Sequence, residues 1–319
     1  MALCMLGKVF GSTKRMKMQH NNNVDGLIVV NKPRGVTSFD VVAKVRRAIG
    51  QKKVGHAGTL DPNVDGVLVV ALGKATKLID ELQTRPKRYV GSITLGFATE
   101  TEDLDGEVIS KVDIDVPFTD AAIDTAIANL NGAIKQVPPM FSAVKVGGKR
   151  LYEYARAGED VTRPIREALI YDYKRIGATI YENKQQHFDF EATVSKGTYI
   201  RTLAVDTGLQ LGVPATMSSL TRTMGSGITI AHAANLDDIA TIAQSELLKL
   251  IIPIKDVLTW PTKALSDDEW FAVKNGQKIA TWPAGDTYLQ LTYHDDVKAV
   301  YAYNKEDNVW QSRYVFTNE

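Results

Sequence analysis

The chain has 319 residues, 44% hydrophobic and 24% charged, a balance that fits a globular protein of about two domains and excludes a fibre or a repeat array. Its one cysteine, Cys4, excludes an internal disulfide framework and a cysteine-rich zinc site. The formal net charge is only +1, yet residues 31–89 carry twelve Lys and Arg against five Asp and Glu, enough for a local face that attracts phosphates.

Residues 1–24 read as a disordered extension. Their apolar start is brief, follows no basic segment and turns polar, so it makes a poor signal peptide; Met16 and Met18 are alternative starts. No apolar run approaches the ~18 residues of a bilayer span. Residues 26–31 form a short apolar run ended by Lys32-Pro33-Arg34-Gly35, a buried strand and a turn. Thr37 or Ser38 caps a helix running to about Ile49, with Gly50 as its stop. A short strand over 54–56, a loop over 57–66, a buried strand over 67–71 and a short helix over 75–82 follow. Residues 89–95 alternate as a strand, 99–106 are acidic and turn-like, and Thr119 caps a helix over 120–130. Residues 138–164 are rich in Lys, Arg, Gly and Tyr. Residues 187–194 alternate again, Ser195-Lys196-Gly197 turns the chain into a helix ending near Gly212, and 236–250 has a helical pattern.

After Ile252-Pro253 the character changes. Ser266 with three acids behind it starts a helix, and strands over 288–293, 297–303 and 309–316 form a meander. The fold class is α+β: a catalytic domain over 25–250 around a large mixed or antiparallel sheet, then a small β-rich domain over 251–319.

The most informative stretch is Gly55-His56-Ala57-Gly58-Thr59-Leu60-Asp61-Pro62, closed by Asp65-Gly66. Pro62 pushes the backbone of Asp61 towards an extended conformation, and Gly58 and Gly66 permit unusual dihedrals on either side. A carboxylate in such a loop between two strands is well placed to meet a substrate. Asp-Pro and Asp-Gly are also ordinary turn formers, so the residues alone leave both readings of Asp61 open.

Five ordered motifs narrow the choice. Gly-Leu-Ile-Val-Val-Asn-Lys-Pro from Gly26, followed by Gly-Val-Thr-Ser from Gly35, resembles the opening of TruB-type tRNA pseudouridine synthases. The Asp61 loop resembles that family's catalytic segment. Lys87-Arg88-Tyr89, the segment from Pro138 to Lys145 with Gly148 to Tyr152, and Ser195 to Thr202 match in the same order. Leu220-Thr221-Arg222-Thr223 resembles a further pocket segment. The resemblance covers residues 26–227. The C-terminal part resembles, less sharply, the PUA-like domain that often ends these enzymes.

The resemblance implies an isomerase that converts uridine-55 in the T loop of tRNA to pseudouridine. The reaction breaks N1–C1′, rotates the flipped uracil and joins C5 to C1′. Neither redox nor group transfer is involved, so no cofactor or metal is expected. Asp61 is the implied catalytic carboxylate and Arg201 its paired guanidinium; Tyr89 stacks on the uracil, and Tyr199 and Leu220 line the pocket. His56 takes the space vacated in the RNA. Residues 138–164 are the implied RNA clamp, with Lys145, Lys149, Arg150 and Arg156 as sequence-blind phosphate contacts. The expected partner is the T arm of tRNA, with the acceptor end as a further contact of the C-terminal domain. No membrane and no obligatory protein partner are expected, and the chain is read as a cytoplasmic monomer. The alternatives are a catalytically idle RNA-binding or RNA-folding protein on the same scaffold, and a related synthase working with a guide or partner.

Overall fold

The computed structural model of the chain describes residues 24–284 and 287–317. The expected disordered extension, and Cys4 with it, lies outside the described residues, apart from Val24, which the Gln51 side chain holds through both amide groups.

Strand β1 (Gly26–Lys32) is followed by helix α1 (Ser38–Ile49), a short β2 (Val54–His56) and β3 (Asp65–Leu72). Helix α1 has the ends its sequence implies. Thr37 accepts from the Asp40 amide while Asp40 accepts from the Thr37 amide, and Gly50 closes the helix at φ 75°. Strands β1 and β3 are apolar without alternation because both their faces are covered. Ile28, Val30, Leu68 and Val70 pack on α1, whereas Leu27, Val29, Val67 and Val69 face the other way. The expected helix over 75–82 is a 3-10 turn, Gly73–Leu78, continued by α2 (Ile79–Thr84).

Strand β4 (Lys87–Leu95) follows, then a hairpin of β5 (Phe97–Thr99) and β6 (Val108–Lys111) that carries the acidic turn. Helix α3 (Asp120–Ala128) starts at the Thr119 cap, and β7 (Gly132–Gln136) comes next. The Lys- and Arg-rich insert holds a two-residue hairpin, β8 (Lys145–Val146) with β9 (Lys149–Arg150), and helix α4 (Leu151–Ala157). A long hairpin of β10 (Arg166–Glu182) and β11 (Gln185–Val194) leads to α5 (Ile200–Leu211) and then β12 (Ala215–Gly225). Two short strands, β13 (Ile228–Thr229) and β14 (Ala234–Asn235), complete the sheet. The pattern over 236–250 forms two helices, α6 (Leu236–Thr241) and α7 (Gln244–Lys249), rather than one. Ile242 between them is extended at ψ 154°, and the bend lets Leu236, Ile239 and Leu247 all reach the α1 core.

Ten strands form one mixed sheet in the order β14-β1-β3-β12-β4-β11-β10-β7, with β13 on β12 and β2 on β3. Pairs β1–β14 and β3–β12 are parallel and the rest antiparallel. This is the expected α+β class. Strand β12, which the sequence pattern does not reveal, stands at the centre, between β3 and β4.

Beyond the sheet, α8 (Ile254–Val257), β15 (Thr262–Ala264) and α9 (Asp267–Lys274) precede β16 (Tyr288–Tyr293), β17 (Asp296–Asn304) and β18 (Val309–Val315). Ser266 and Glu269 form the capping box of α9. The meander is present, and β15 adds a parallel fourth strand at its edge. Leu265, Trp270, Val273, Leu291, Tyr301 and Trp310 fill its own small core.

Candidate active site

The loop between β2 and β3 is fixed from several sides. Leu60 and Val64 are buried in the core that holds Ile93, Phe190 and Leu203, so they anchor the loop on both sides of Asp61. The Ser38 hydroxyl donates to the Leu60 carbonyl and accepts from the Leu60 amide. The Gly35 amide and the Lys32 ammonium both donate to the Pro62 carbonyl, at 2.9 Å each. Arg222, only 2% exposed, reaches across from β12 and donates to the carbonyls of Gly58 (3.0 Å) and Val67 (2.7 Å). Gly58 and Gly66 adopt φ 114° and 102°, conformations that L side chains resist, and a Cβ on Gly66 would lie 2.3 Å from the Arg222 carbonyl oxygen. The two glycines are therefore required, the first by conformation and the second by close approach as well.

Asp61 emerges from this framework half exposed, facing a cavity of about 390 Å³. Arg201, from the first turn of α5 and 7% exposed, meets it with Nη2–Oδ2 at 3.1 Å. The same guanidinium donates to the carbonyls of Thr101 (2.9 Å) and Phe141 (3.0 Å), and its Nε lies 3.8 Å from Asp103. One planar donor group thus joins the catalytic-type loop, the acidic turn, the insert and helix α5. Such a fork is what arginine offers and lysine does not.

Tyr89 and Leu220 line the same cavity. They stand on adjacent strands, with Tyr89 paired to Arg222 and Leu220 to Gly91. Alternation along β4 puts Lys87 and Tyr89 on one face. Tyr199 completes the wall at the N-cap of α5, where the Gln136 side chain accepts from its amide and donates to its carbonyl. Burial pushes the Tyr199 phenol up from its ordinary value. Asp61, Tyr89, Tyr199, Arg201 and Leu220, named from sequence, therefore share one cavity.

The remaining sequence candidates stand apart from it. His56 ends β2 outside the cavity wall, edge-on to the exposed ring of Phe39 with centroids 6.2 Å apart. Burial, and then the positive charge of Arg222, lower its pKa from the ordinary value, so it is held neutral near pH 7. Lys145, Lys149 and Arg150 sit on the insert hairpin. Lys145 and Arg150 are exposed, whereas Lys149 is paired with Glu159 at 2.7 Å and lies over the Tyr154 ring. Arg150 and Arg156 both lie against Tyr152. The insert reaches the cavity through Ser142 and Ala143, and Arg201 secures it at Phe141.

Several groups that build the site carry no role in the sequence reading, although Lys32 and Lys87 stand in its motifs. Lys32 is fully buried and donates to three carbonyls, those of Pro33, Val36 and Pro62. Burial lowers its pKa to about 8, while Asp65 and Asp61 act in the opposite direction. Lys87 is likewise lowered to about 8 by burial, then by Arg222 and Lys196. Asp103 and the Thr101 carbonyl come from the acidic turn, whose sequence looks like ordinary solvent-facing polarity. Among the described residues no group of three or more His, Cys, Asp and Glu is arranged to hold a metal ion.

Residues 46–200 match the family model for the N-terminal domain of TruB family pseudouridylate synthases. The chain is 47% identical over 294 residues to the tRNA pseudouridine synthase B of Lactiplantibacillus plantarum, covering 89% of this chain and 96% of that protein. It is 47% identical over 285 residues to the protein of the same name from Pediococcus pentosaceus, covering 88% and 95%. Among solved structures, a chain of a Cbf5-Nop10-Gar1 complex superposes with TM-score 0.67 at 27% identity, covering 92% of this chain and 85% of that one. The Asp61 loop, the β4 strand and the Arg201 helix all fall within or next to the matched span, and the relatives match along nearly their whole length. The chain belongs to the TruB family of pseudouridylate synthases, which are isomerases acting on uridine.

Proposed function

We propose that the cavity isomerises uridine-55 in the T loop of tRNA, with Asp61 as the group that acts at C1′. The observation that carries this reading is the Asp61–Arg201 pair, 3.1 Å apart, in the cavity that also holds Tyr89. The N1–C1′ bond breaks, the uracil rotates, and C5 bonds to C1′. The C5 proton then leaves and N1 gains one, so substrate and product have the same formula. Asp61 attacks C1′ as nucleophile or takes the neighbouring 2′ proton as base, and Arg201, 3.1 Å away, aims the carboxylate. Tyr89 is the platform for the extruded base and Leu220 and Tyr199 its other walls. Stacking of about 1–3 kcal/mol per base offsets much of the few kcal/mol that flipping costs.

His56 beside the cavity fills the gap left in the RNA, and the exposed Lys145 and Arg150 on the insert contact phosphates. Lys149 contributes less because Glu159 already neutralises it. Residues 25–250 are the catalytic unit, and 251–319 are a terminal unit that contacts the acceptor end of the same tRNA. The enzyme works as a monomer in the cytoplasm, where this substrate is found.

Asp61→Asn tests the reading. The carboxylate is half exposed, so its ion pair adds no more than about 1 kcal/mol to stability. The variant should melt with the parent, bind an unmodified T-arm RNA, and form no pseudouridine. Full turnover by the variant would end the assignment. No pseudouridine from the parent protein would favour an idle RNA-binding role instead.

A further inference from the structure

Among the described residues lining the cavity, Asp61 is the sole acid, against Lys87, Lys196, Arg201 and Arg222. Arg201 and Asp61 offset one another at 3.1 Å, which leaves three cations. Neighbouring strands deliver them to one end of the sheet. Arg222 on β12 stands opposite Tyr89 on β4, Lys87 lies two residues before Tyr89 on the same face, and Lys196 follows Val194, the β11 partner of Lys87. Lys87 and Arg222 are 7% and 2% exposed.

None of the three makes an ion pair with a carboxylate among the described residues. Arg222 gives three of its five N–H donors to the Val67, Gly58 and Thr59 carbonyls, which leaves two. Lys87 gives two protons to the Gln83 and Arg85 carbonyls, which leaves one for the cavity. Lys196 stands exposed on the turn after β11. Buried cations without a countercharge are costly, and a fold that holds two beside a third is prepared for an anion from outside. The proximity also appears in Lys87 itself, whose pKa is depressed by both other cations as well as by burial.

We propose that Lys87, Lys196 and Arg222 form an anion subsite that receives one of the two phosphodiesters flanking the extruded nucleotide. This rests on the reading of the cavity as a uridine isomerase. A nucleotide whose C1′ meets Asp61 carries a phosphate on each side of its ribose, and the three cations form a wall of the same cavity. The bound phosphate supplies the countercharge that the fold leaves out, and holds the ribose while the base turns.

The test is a two-by-two cycle in the binding-competent Asp61→Asn background. One change is Lys196→Ala, which removes an exposed side chain and should leave the melting temperature unchanged. The other is a neutral methylphosphonate placed 5′ or 3′ of the target uridine in a T-arm RNA. Each change alone should weaken binding roughly fivefold, and at one of the two linkages the combined change should cost no more than either alone. Lys196→Ala should also flatten the slope of log Kd against log salt by ~0.7, the loss of one phosphate contact. Lys196→Arg should restore both. Losses that multiply at both linkages, or an unchanged salt slope, would overturn the subsite. Pseudouridine formation by the parent protein on the same unmodified RNA runs alongside. If the parent forms product and the losses still multiply, only the subsite falls; if it forms none, the reading beneath it falls.

Discussion

Replacing Arg201 with methionine removes the donor group that joins four segments around the cavity. Methionine fills similar space but leaves the Thr101 and Phe141 carbonyls without their partner. Hydrogen bonds to a charged group contribute about 1.5–3 kcal/mol each, so the two together account for roughly 3–6 kcal/mol. Relief of the buried guanidinium's own desolvation offsets part of this, and a net loss of about 3 kcal/mol is expected. For a chain of 319 residues, with an unfolding entropy of about 2.1 cal/mol/K per residue, that lowers Tm by roughly 4–5 °C. The ion pair with the half-exposed Asp61 adds under about 1 kcal/mol to that figure. Under the proposed role of Asp61 its larger effect is on chemistry, because an unsupported carboxylate wanders from its target atom, and misplacement by an ångström costs about a hundredfold. Thermal melts and single-turnover pseudouridine formation on a T-arm RNA measure the two effects separately. Arg201→Lys should recover part of the stability and little of the rate, since an ammonium cannot serve the same fork. A methionine variant that melts with the parent and turns over at its rate would refute the claim that Arg201 organises the site.

Two further outcomes follow from the same geometry. Gly66→Ala meets both a positive φ and the Arg222 carbonyl at 2.3 Å, so a loss above about 2 kcal/mol is expected; Gly35→Ala, at φ 76° with open space around it, should cost only about 1 kcal/mol, and equal melting temperatures for the two would contradict this. Burial raises the Glu102 carboxyl above its ordinary value although Thr202 donates to it, so its contribution to stability is present in acid and lost as pH climbs through the raised value. Glu102→Gln should therefore be more stable than the parent at pH 7, with the gap closing below pH 4.5, and a gap that widens in acid would reverse the sign.

Much of the fold could be read from sequence because local rules and tertiary demands agree. Thr37, Asp40 and Gly50 bound α1 by capping chemistry alone, and unbroken apolar runs mark β1 and β3 as covered on both faces. Strand β12 could not be read. Its sequence, Ala-Thr-Met-Ser-Ser-Leu-Thr-Arg-Thr-Met-Gly, looks like a loop because one of its faces is spent on the cavity, where Arg222 replaces an apolar side chain. The break between α6 and α7 was hidden for another reason. Leu236, Ile239 and Leu247 keep a helical spacing, and only the position of α1 shows that the chain must bend to bury all three. At the site, Asp61, Tyr89 and Arg201 were accessible through their motifs. The acceptors that hold Arg201 were not, because two of them are backbone carbonyls, which every residue possesses and which leave no mark in a sequence. The cationic wall was missed because its members are about 110 and 25 residues apart along the chain, and only strand pairing joins them.

The terminal four-stranded unit does not hang from the rest as a pendant. Leu27 and Ile252 exchange both backbone hydrogen bonds, at 2.9 and 2.8 Å, and Val300 and Phe316 are buried in the same apolar cluster as Leu27, Val67 and Val69. A chain cut at residue 251 would bare the greasy underside of β1 and of β3, the strand into which the Asp61 loop runs. Amputation would therefore be felt as sticking and aggregation of the remainder, well before any question of how it grips RNA arose.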